Sequence, residues 1–187
     1  MNTKAKVQNM TVAGLLCSIG ILIPMVSPIK IAIGPFGTVT LASHVAIFIA
    51  MFLSPVTALC VALGTTLGFF FGGFLPHVVM RAFSHVIFAV LGAVYLKKYP
   101  GALLNTKHTI IFSVLIALIH GSCEVIAIMP LFVGGSFAAG KGLLYGVLIP
   151  VGGVTIIHSL VDFGIATAIW KALEKARVVK SVRNNIA

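Results

Sequence analysis

Residues Leu118 to Pro130 read LIHGSCEVIAIMP. The stretch lies inside a longer apolar run, where a formal charge is expensive. Yet it carries Glu124, with His120 one helical turn earlier on the same face. The chain has only three acidic residues among 187. A carboxylate in a membrane-length segment, with no Lys or Arg beside it in sequence, needs partners from other helices.

Composition sets the surroundings of that stretch. Hydrophobic residues make up 59% of the chain and charged residues 9%, with a mean hydropathy of +1.15. A soluble domain carries roughly a quarter charged residues. The chain therefore reads as an integral membrane protein, and its apolar segments run almost end to end, leaving no room for a soluble domain. The net charge of +10 raises nucleic acid as a partner. The basic residues sit at segment ends and tails, however, as the positive-inside rule requires, so the partner expected is the lipid bilayer and no nucleic acid. Cys17, Cys60 and Cys123 all fall in apolar segments without metal-type or paired spacing, and read as small packing residues. The N-terminus, with Lys4 and Lys6 before an apolar run, imitates a signal peptide. It lacks a convincing small-x-small cleavage site, and is expected to be a retained first helix.

The fold class expected is an all-α integral membrane protein, a single domain over 1–187 made of six transmembrane helices. The approximate spans are 8–26, 40–53, 56–74, 77–96, 109–132 and 143–170. The second is short for a crossing of ~20 residues. Pro24, Pro28 and Pro35 with Gly34 and Gly37 mark the stretch before it as a loop with a short extended piece. Six spans place both termini on one side. That side holds Lys4, Lys6, Lys97, Lys98, Lys107 and the cluster from Lys171 to Arg183, against Lys30, Lys141 and Arg81 on the other. The bias makes both termini cytoplasmic. No internal repeat is evident, which counts against an inverted-repeat carrier.

Small residues recur four apart in two segments: Ala13/Cys17 and Gly14/Ser18 in the first, Gly64, Gly68 and Gly72 in the third. Such faces allow close helix approach in lipid. For the first segment, packing within the bundle and docking on another subunit both remain open.

Three spans each carry an ionisable pair at i, i+4: Arg81 with His85, His120 with Glu124, and His158 with Asp162. His44 lies near the outer end of the second. Counting ~1.5 Å per residue from each helix end puts Arg81, His85 and Glu124 in the outer half and His120 near the middle, as the pocket floor. Asp162 comes out deeper, as an i, i+4 partner of His158 holding the inner half. Arg81, His85, His120, Glu124 and His44 are thus expected to meet in one outward-facing polar pocket. It either fixes helix register or binds a small polar molecule. Phe69 to Phe71, Phe74 and Tyr145 lie at outer ends or flank it, and one or two are candidates to stack on a planar ring. No bound metal is expected, because the guanidinium would repel a cation and no H-x-x-x-H spacing occurs. A zinc protease would want His-Glu-x-x-His, which is absent. Ser159, His158 and Asp162 do not make a hydrolase triad, since adjacent helical residues point apart. Gly135 to Gly142, GSFAAGKG, nearly matches a phosphate-binding loop. Gly142 replaces the magnesium-binding hydroxyl and no strand precedes it, so it is expected to be a flexible gate over the pocket.

Four stretches carry a family resemblance: TVAGLLCSIGILIPM, GPFGTVTLASHVAIFIAMFLSPVTA, RAFSHVIFAVLGA and HSLVDFGIA. Through them essentially the whole chain resembles the S-component, the substrate-binding subunit, of energy-coupling factor (ECF) vitamin transporters. It looks most like those for hydroxymethylpyrimidine, pyridoxine and niacin, with the first two favoured. The resemblance implies a multi-pass protein of the bacterial plasma membrane that binds a vitamin from outside. It implies a transmembrane coupling protein, the T-component, and two cytoplasmic ATPases as partners. ATP and Mg would be used by those ATPases, with no cofactor bound by this chain and no enzymatic activity of its own. It implies docking through an Ala-xxx-Ala motif on the first helix, matched by Ala13 and, with a departure, Cys17, beside Gly14. It also implies a substrate site in the region holding Arg81, His85, His120, Glu124 and Tyr145. Two readings from other classes stand beside it: a stand-alone carrier shuttling protons on Glu124 or Asp162, and an intramembrane enzyme using the His/Glu cluster.

Overall fold

The computed structural model describes residues 3–26, 30–32, 38–40 and 42–176. The element order is α1 (Thr3–Val26), β1 (Lys30–Ala32), β2 (Thr38–Thr40), α2 (Val45–Leu53), α3 (Pro55–Phe71), α4 (Pro76–Lys98), α5 (Thr106–Val133), a π-helical segment (Leu144–Gly153) and α6 (Val154–Lys175). β1 and β2 form an antiparallel ribbon with Ile31 opposite Val39, the short extended piece expected there. Pro28, Gly34, Pro35, Gly37 and the basic tail beyond 176 lie outside the described residues, as do the side chains of Lys4 and Lys6 on which the orientation count partly rests.

Local chemistry sets the helix ends. Ser54 stops α2 and caps α3: its Oγ accepts the Thr57 N–H at 3.1 Å, and Pro55 takes the first helical position, where no donor is missed. Pro76 opens α4 in the same way. Asn105 caps α5 by accepting the Lys107 and His108 N–H groups. The π-helical segment contains Pro150, whose missing N–H interrupts α-type bonding, followed by Gly152 and Gly153. It runs directly into α6.

The bundle is inverted relative to a soluble protein. Large apolar side chains cover the outside, such as Leu67, Phe83, Leu91, Leu115, Ile126 and Ile157, while Arg81, His85, His120, Glu124 and Asp162 are buried. Among the described residues, three helical stretches are long and apolar enough to cross a membrane: Pro76–Lys98, Thr106–Val133 and Leu144–Lys175. Met10–Val26 and Pro55–Phe71 are shorter apolar helices. α2 has nine residues, eight of them buried, and spans about 14 Å, so the second span is a core helix that by itself covers about half the hydrocarbon thickness. It packs against α1, α3, α4 and α6. Phe48, Phe52, Phe163 and Trp170 stack edge to face along one end of it. At its other end, the N-terminus, lies His44.

Candidate functional site

Glu124 is the hub. Its Oε2 accepts Arg81 Nε at 2.9 Å and Arg81 Nη2 at 2.7 Å, and also the Thr155 hydroxyl. Its Oε1 lies 3.0 Å from His85 Nε2 and 3.4 Å from His120 Nε2. The second of these is within ion-pair reach but is not a hydrogen bond. Three helices therefore converge on one carboxylate. Gly121 permits the approach of α6 to α5: a Cβ there would sit 2.9 Å from Ile156 Cγ1 and 3.0 Å from the Gly152 carbonyl oxygen. A larger residue would push Thr155 away from Glu124.

Asp162 is the second hub. Its Oδ1 accepts the Ala42 N–H at 3.0 Å. Its Oδ2 accepts the His44 N–H at 3.0 Å and lies 3.1 Å from His44 Nδ1, with His158 Nε2 at 3.3 Å. Ala42 has φ of +66°, a left-handed conformation costing roughly 1–2 kcal/mol for a residue with a Cβ. Charge-assisted bonds from Asp162 to this turn offset that cost. This corrects the depth estimate. Asp162 is 0% exposed and keeps its expected i, i+4 partner His158, but it also reaches His44, which with His158 lines the same cavity as Arg81 and Glu124.

The two hubs meet through imidazoles. The His44 ring lies 4.6 Å from that of His85, 4.6 Å from that of His120 and 4.9 Å from that of His158, and His85 lies 4.8 Å from His120. Phe88 stacks on His120 at 4.2 Å and closes the cluster. Arg81, His85, His120, Glu124 and His44, expected to meet, are therefore brought together. Ser43, Thr155, His158 and Asp162 join them. The i, i+4 spacing flagged the last pair, but the two hydroxyls carried no sequence signal.

The other site expectations divide. Tyr145 is 69% exposed and does not line the cavity beside Arg81. The Gly-rich turn is not a free flap, because Phe137 and Ala138 are buried against Ile128, Val147 and Val151. Cys17 packs inside: a Cβ on Gly64 of α3 would lie 2.2 Å from its Sγ. Ala13 is half-buried, whereas Gly14 and Ser18 are exposed.

A cavity of about 30 Å³, lined by Thr40, Ser43, Arg81, Glu124, Thr155 and His158 among others, opens on the cluster. That is about the volume of one liquid water. A cavity of about 490 Å³ lies at the opposite end, between Phe52, Leu96, Leu104, Ile110, Trp170 and Lys171. Size favours the second and chemistry the first. Convergent, fully buried polar groups identify a small-ligand site better than volume does, so the cluster is the candidate site.

The chain is 37% identical over 173 residues to the niacin transporter NiaX of Lactococcus lactis subsp. cremoris, an alignment covering 92% of this chain and 78% of that protein. The chain belongs to the S-component family of ECF transporters. It is thus a vitamin-uptake subunit, a transporter component in the multi-pass class of the bacterial plasma membrane. No family model matches the chain, and no solved structure matches it.

Proposed function

We propose that this S-component captures niacin and that the Arg81–Glu124 cluster is its binding site. The observation that carries the reading is the 37% identity, over nearly the full chain, with a protein named as a niacin transporter. It favours niacin over hydroxymethylpyrimidine and pyridoxine, reversing the order expected from sequence. The chemistry agrees. Nicotinate offers a carboxylate to a guanidinium and a ring nitrogen to imidazole N–H donors. Arg81 uses Nε and Nη2 on Glu124 and Thr155. Its Nη1 makes no hydrogen bond among the described residues, and Arg81 lines the cavity. The cavity is too small for a pyridine ring, so capture requires the turn 42–44 and the surrounding helix ends to part. Asp162 holds that segment by two backbone N–H groups, which makes it the latch on the site. A proton-shuttling role for Glu124 fits less well, since Arg81, Thr155 and His85 already occupy both its oxygens.

In this reading the chain crosses the membrane six times with both termini cytoplasmic, α2 and the extended segment before it making the second crossing together. It docks on a coupling subunit through the first helix, and two ATPases hydrolyse ATP with Mg. Calorimetry on the purified chain with nicotinate, nicotinamide, hydroxymethylpyrimidine and pyridoxine tests the ligand. Nicotinate should bind most tightly. Arg81→Gln should reduce nicotinate affinity about 10–100-fold more than nicotinamide affinity, a difference on the order of a charge-assisted hydrogen bond. Equal losses for the two ligands would remove Arg81 as the carboxylate partner, and preference for a pyrimidine would overturn the niacin reading.

A further inference from the structure

We propose that the same cluster holds a divalent transition-metal ion of zinc type, coordinated by one ring nitrogen each of His44, His85 and His120 and by one carboxylate oxygen of Glu124. One ligand atom from each of the four residues lies within 4.8 Å of all the others. Three imidazoles and a carboxylate are a donor set that zinc accepts. Bonds of about 2.0–2.1 Å to a tetrahedral ion place donors roughly 3.3 Å apart. Ring rotations and small helix shifts close the difference.

Unused donors point to an ion more strongly than proximity does. His44 Nε2, His85 Nδ1 and both ring nitrogens of His120 are buried without a hydrogen-bond partner among the described residues. Leaving one such group unsatisfied costs about 1–3 kcal/mol, and all four belong to the three imidazoles of this cluster. His120 is the extreme case, at 0% exposure with neither nitrogen in a hydrogen bond among the described residues and Nε2 3.4 Å from Glu124 Oε1.

The surroundings are those of supported ligands. Asp162 Oδ2 lies 3.1 Å from His44 Nδ1 and is itself fixed by the Ala42 and His44 backbone N–H groups. With the proton on Nδ1, the Nε2 lone pair is free. This is the carboxylate–histidine–metal arrangement, in which an outer carboxylate sets tautomer and ring orientation. Glu124 is divided in the same sense. Arg81 and Thr155 hold Oε2, while Oε1 faces His85 and His120.

Arg81 is the objection, because its charge repels a cation. Formal charges answer it. Arg81 carries one positive charge against the carboxylates of Glu124 and Asp162, so the guanidinium alone leaves a buried negative surplus, which is costly in a membrane interior. Arg81 approaches the oxygen turned away from the imidazoles. A second grouping, His44, His158 and Asp162, is the weaker site, since both oxygens of Asp162 are already engaged by backbone N–H groups.

The test needs no vitamin. The full chain is purified through a tag free of histidine, stripped with a chelator, and titrated with Co²⁺ alone and then Zn²⁺. One equivalent of Co²⁺ should bind, with the visible absorption of a four-coordinate nitrogen–oxygen site, and Zn²⁺ should displace it. His44→Gln and His120→Gln should each weaken binding at least 100-fold. Asp162→Asn should weaken it about 10–100-fold, as loss of an outer-shell partner does. His108→Gln, at an exposed position, should change nothing. The wild-type spectrum decides even where a variant fails to fold. Substoichiometric Co²⁺ without the four-coordinate absorption, or binding lost with His108→Gln and retained with His120→Gln, would overturn the proposal.

Discussion

The seam between α1 and α3 and the cluster among α2, α4, α5 and α6 are both places of very close approach, made of opposite materials. In the seam the closest approaches are made by missing side chains, at Gly20, Gly64 and Gly68. A Cβ on Gly20 would fall 2.5 Å from Thr65 Oγ1, and one on Gly68 would fall 2.5 Å from the Ile21 carbonyl oxygen and 2.7 Å from its Cα. In the cluster nearly every contact is a polar atom, with Arg81, His85 and Thr155 on Glu124 and His44 on Asp162. Lipid explains why both work. Helices in a bilayer gain nothing by hiding apolar surface, so they associate by van der Waals fit or by polar groups that have no better partner. The difference lies in what each can spare. Among the described residues no buried side-chain nitrogen or oxygen of the seam lacks a hydrogen bond, whereas four imidazole nitrogens of the cluster make none. A region built only to hold helices together would not retain them.

The largest effect should come from breaking the cluster on one side only. Arg81→Met leaves Glu124 buried without its guanidinium, and truncating one partner of a buried pair costs about 3–5 kcal/mol. Thermal unfolding in detergent should show it as a strongly lowered midpoint. The double variant Arg81→Met/Glu124→Leu should recover much of the loss while binding no vitamin, because an apolar replacement of a buried pair is often neutral. That pair of results would separate stability from function. Failure of the double variant to recover would mean that the ion pair also holds the fold.

The seam should respond at the next level down, and selectively. Gly68→Ala forces a Cβ into the backbone of α1, and overpacking of this kind costs about 1–3 kcal/mol. Gly14→Ala, on the same pair of helices but with nothing within 4 Å of the new Cβ, should leave the unfolding midpoint unchanged. Ligand affinity should survive in every Gly68→Ala molecule that folds. A loss of binding at full folded yield would tie the seam to the site and erase the contrast.

The comparison also shows what sequence could carry. The i, i+4 pairs of Arg81, His85, His120 and Glu124 were legible because helix periodicity alone puts each pair on one face, and a charge in an apolar run demands a partner. Depth was not legible. Counting from helix ends assumes that every helix starts at the membrane face. α2 instead begins inside the bundle at Val45, and its N-terminal turn is reached by Asp162. Hence Asp162, expected deeper than His158, is tied through His44 to the cluster around Glu124. Tyr145 failed for a related reason. Its place at the outer end of a helix was readable, but the face it takes depends on the π-helical segment around Pro150. Thr155 left no trace, because a hydroxyl in a membrane helix usually bonds its own backbone, as those of Ser18 and Thr65 do here.

The smallest effect on stability should be the most telling about partners. Gly14 and Ser18 form the part of the small-residue face that α3 does not cover. The Ser18 hydroxyl already donates to the Gly14 carbonyl at 2.9 Å, so this face offers shape and no free donor. Gly14→Leu should change stability by less than about 0.5 kcal/mol, as exposed substitutions do, and should leave vitamin affinity intact. If α1 docks on a coupling subunit as proposed, the same change should abolish co-purification of that subunit. Cys17→Leu is the control from the other side of the helix. Its side chain would press on Gly64, so it should lower stability and assembly together. Normal co-purification of Gly14→Leu would move the docking surface off this face and leave α1 as a packing helix only.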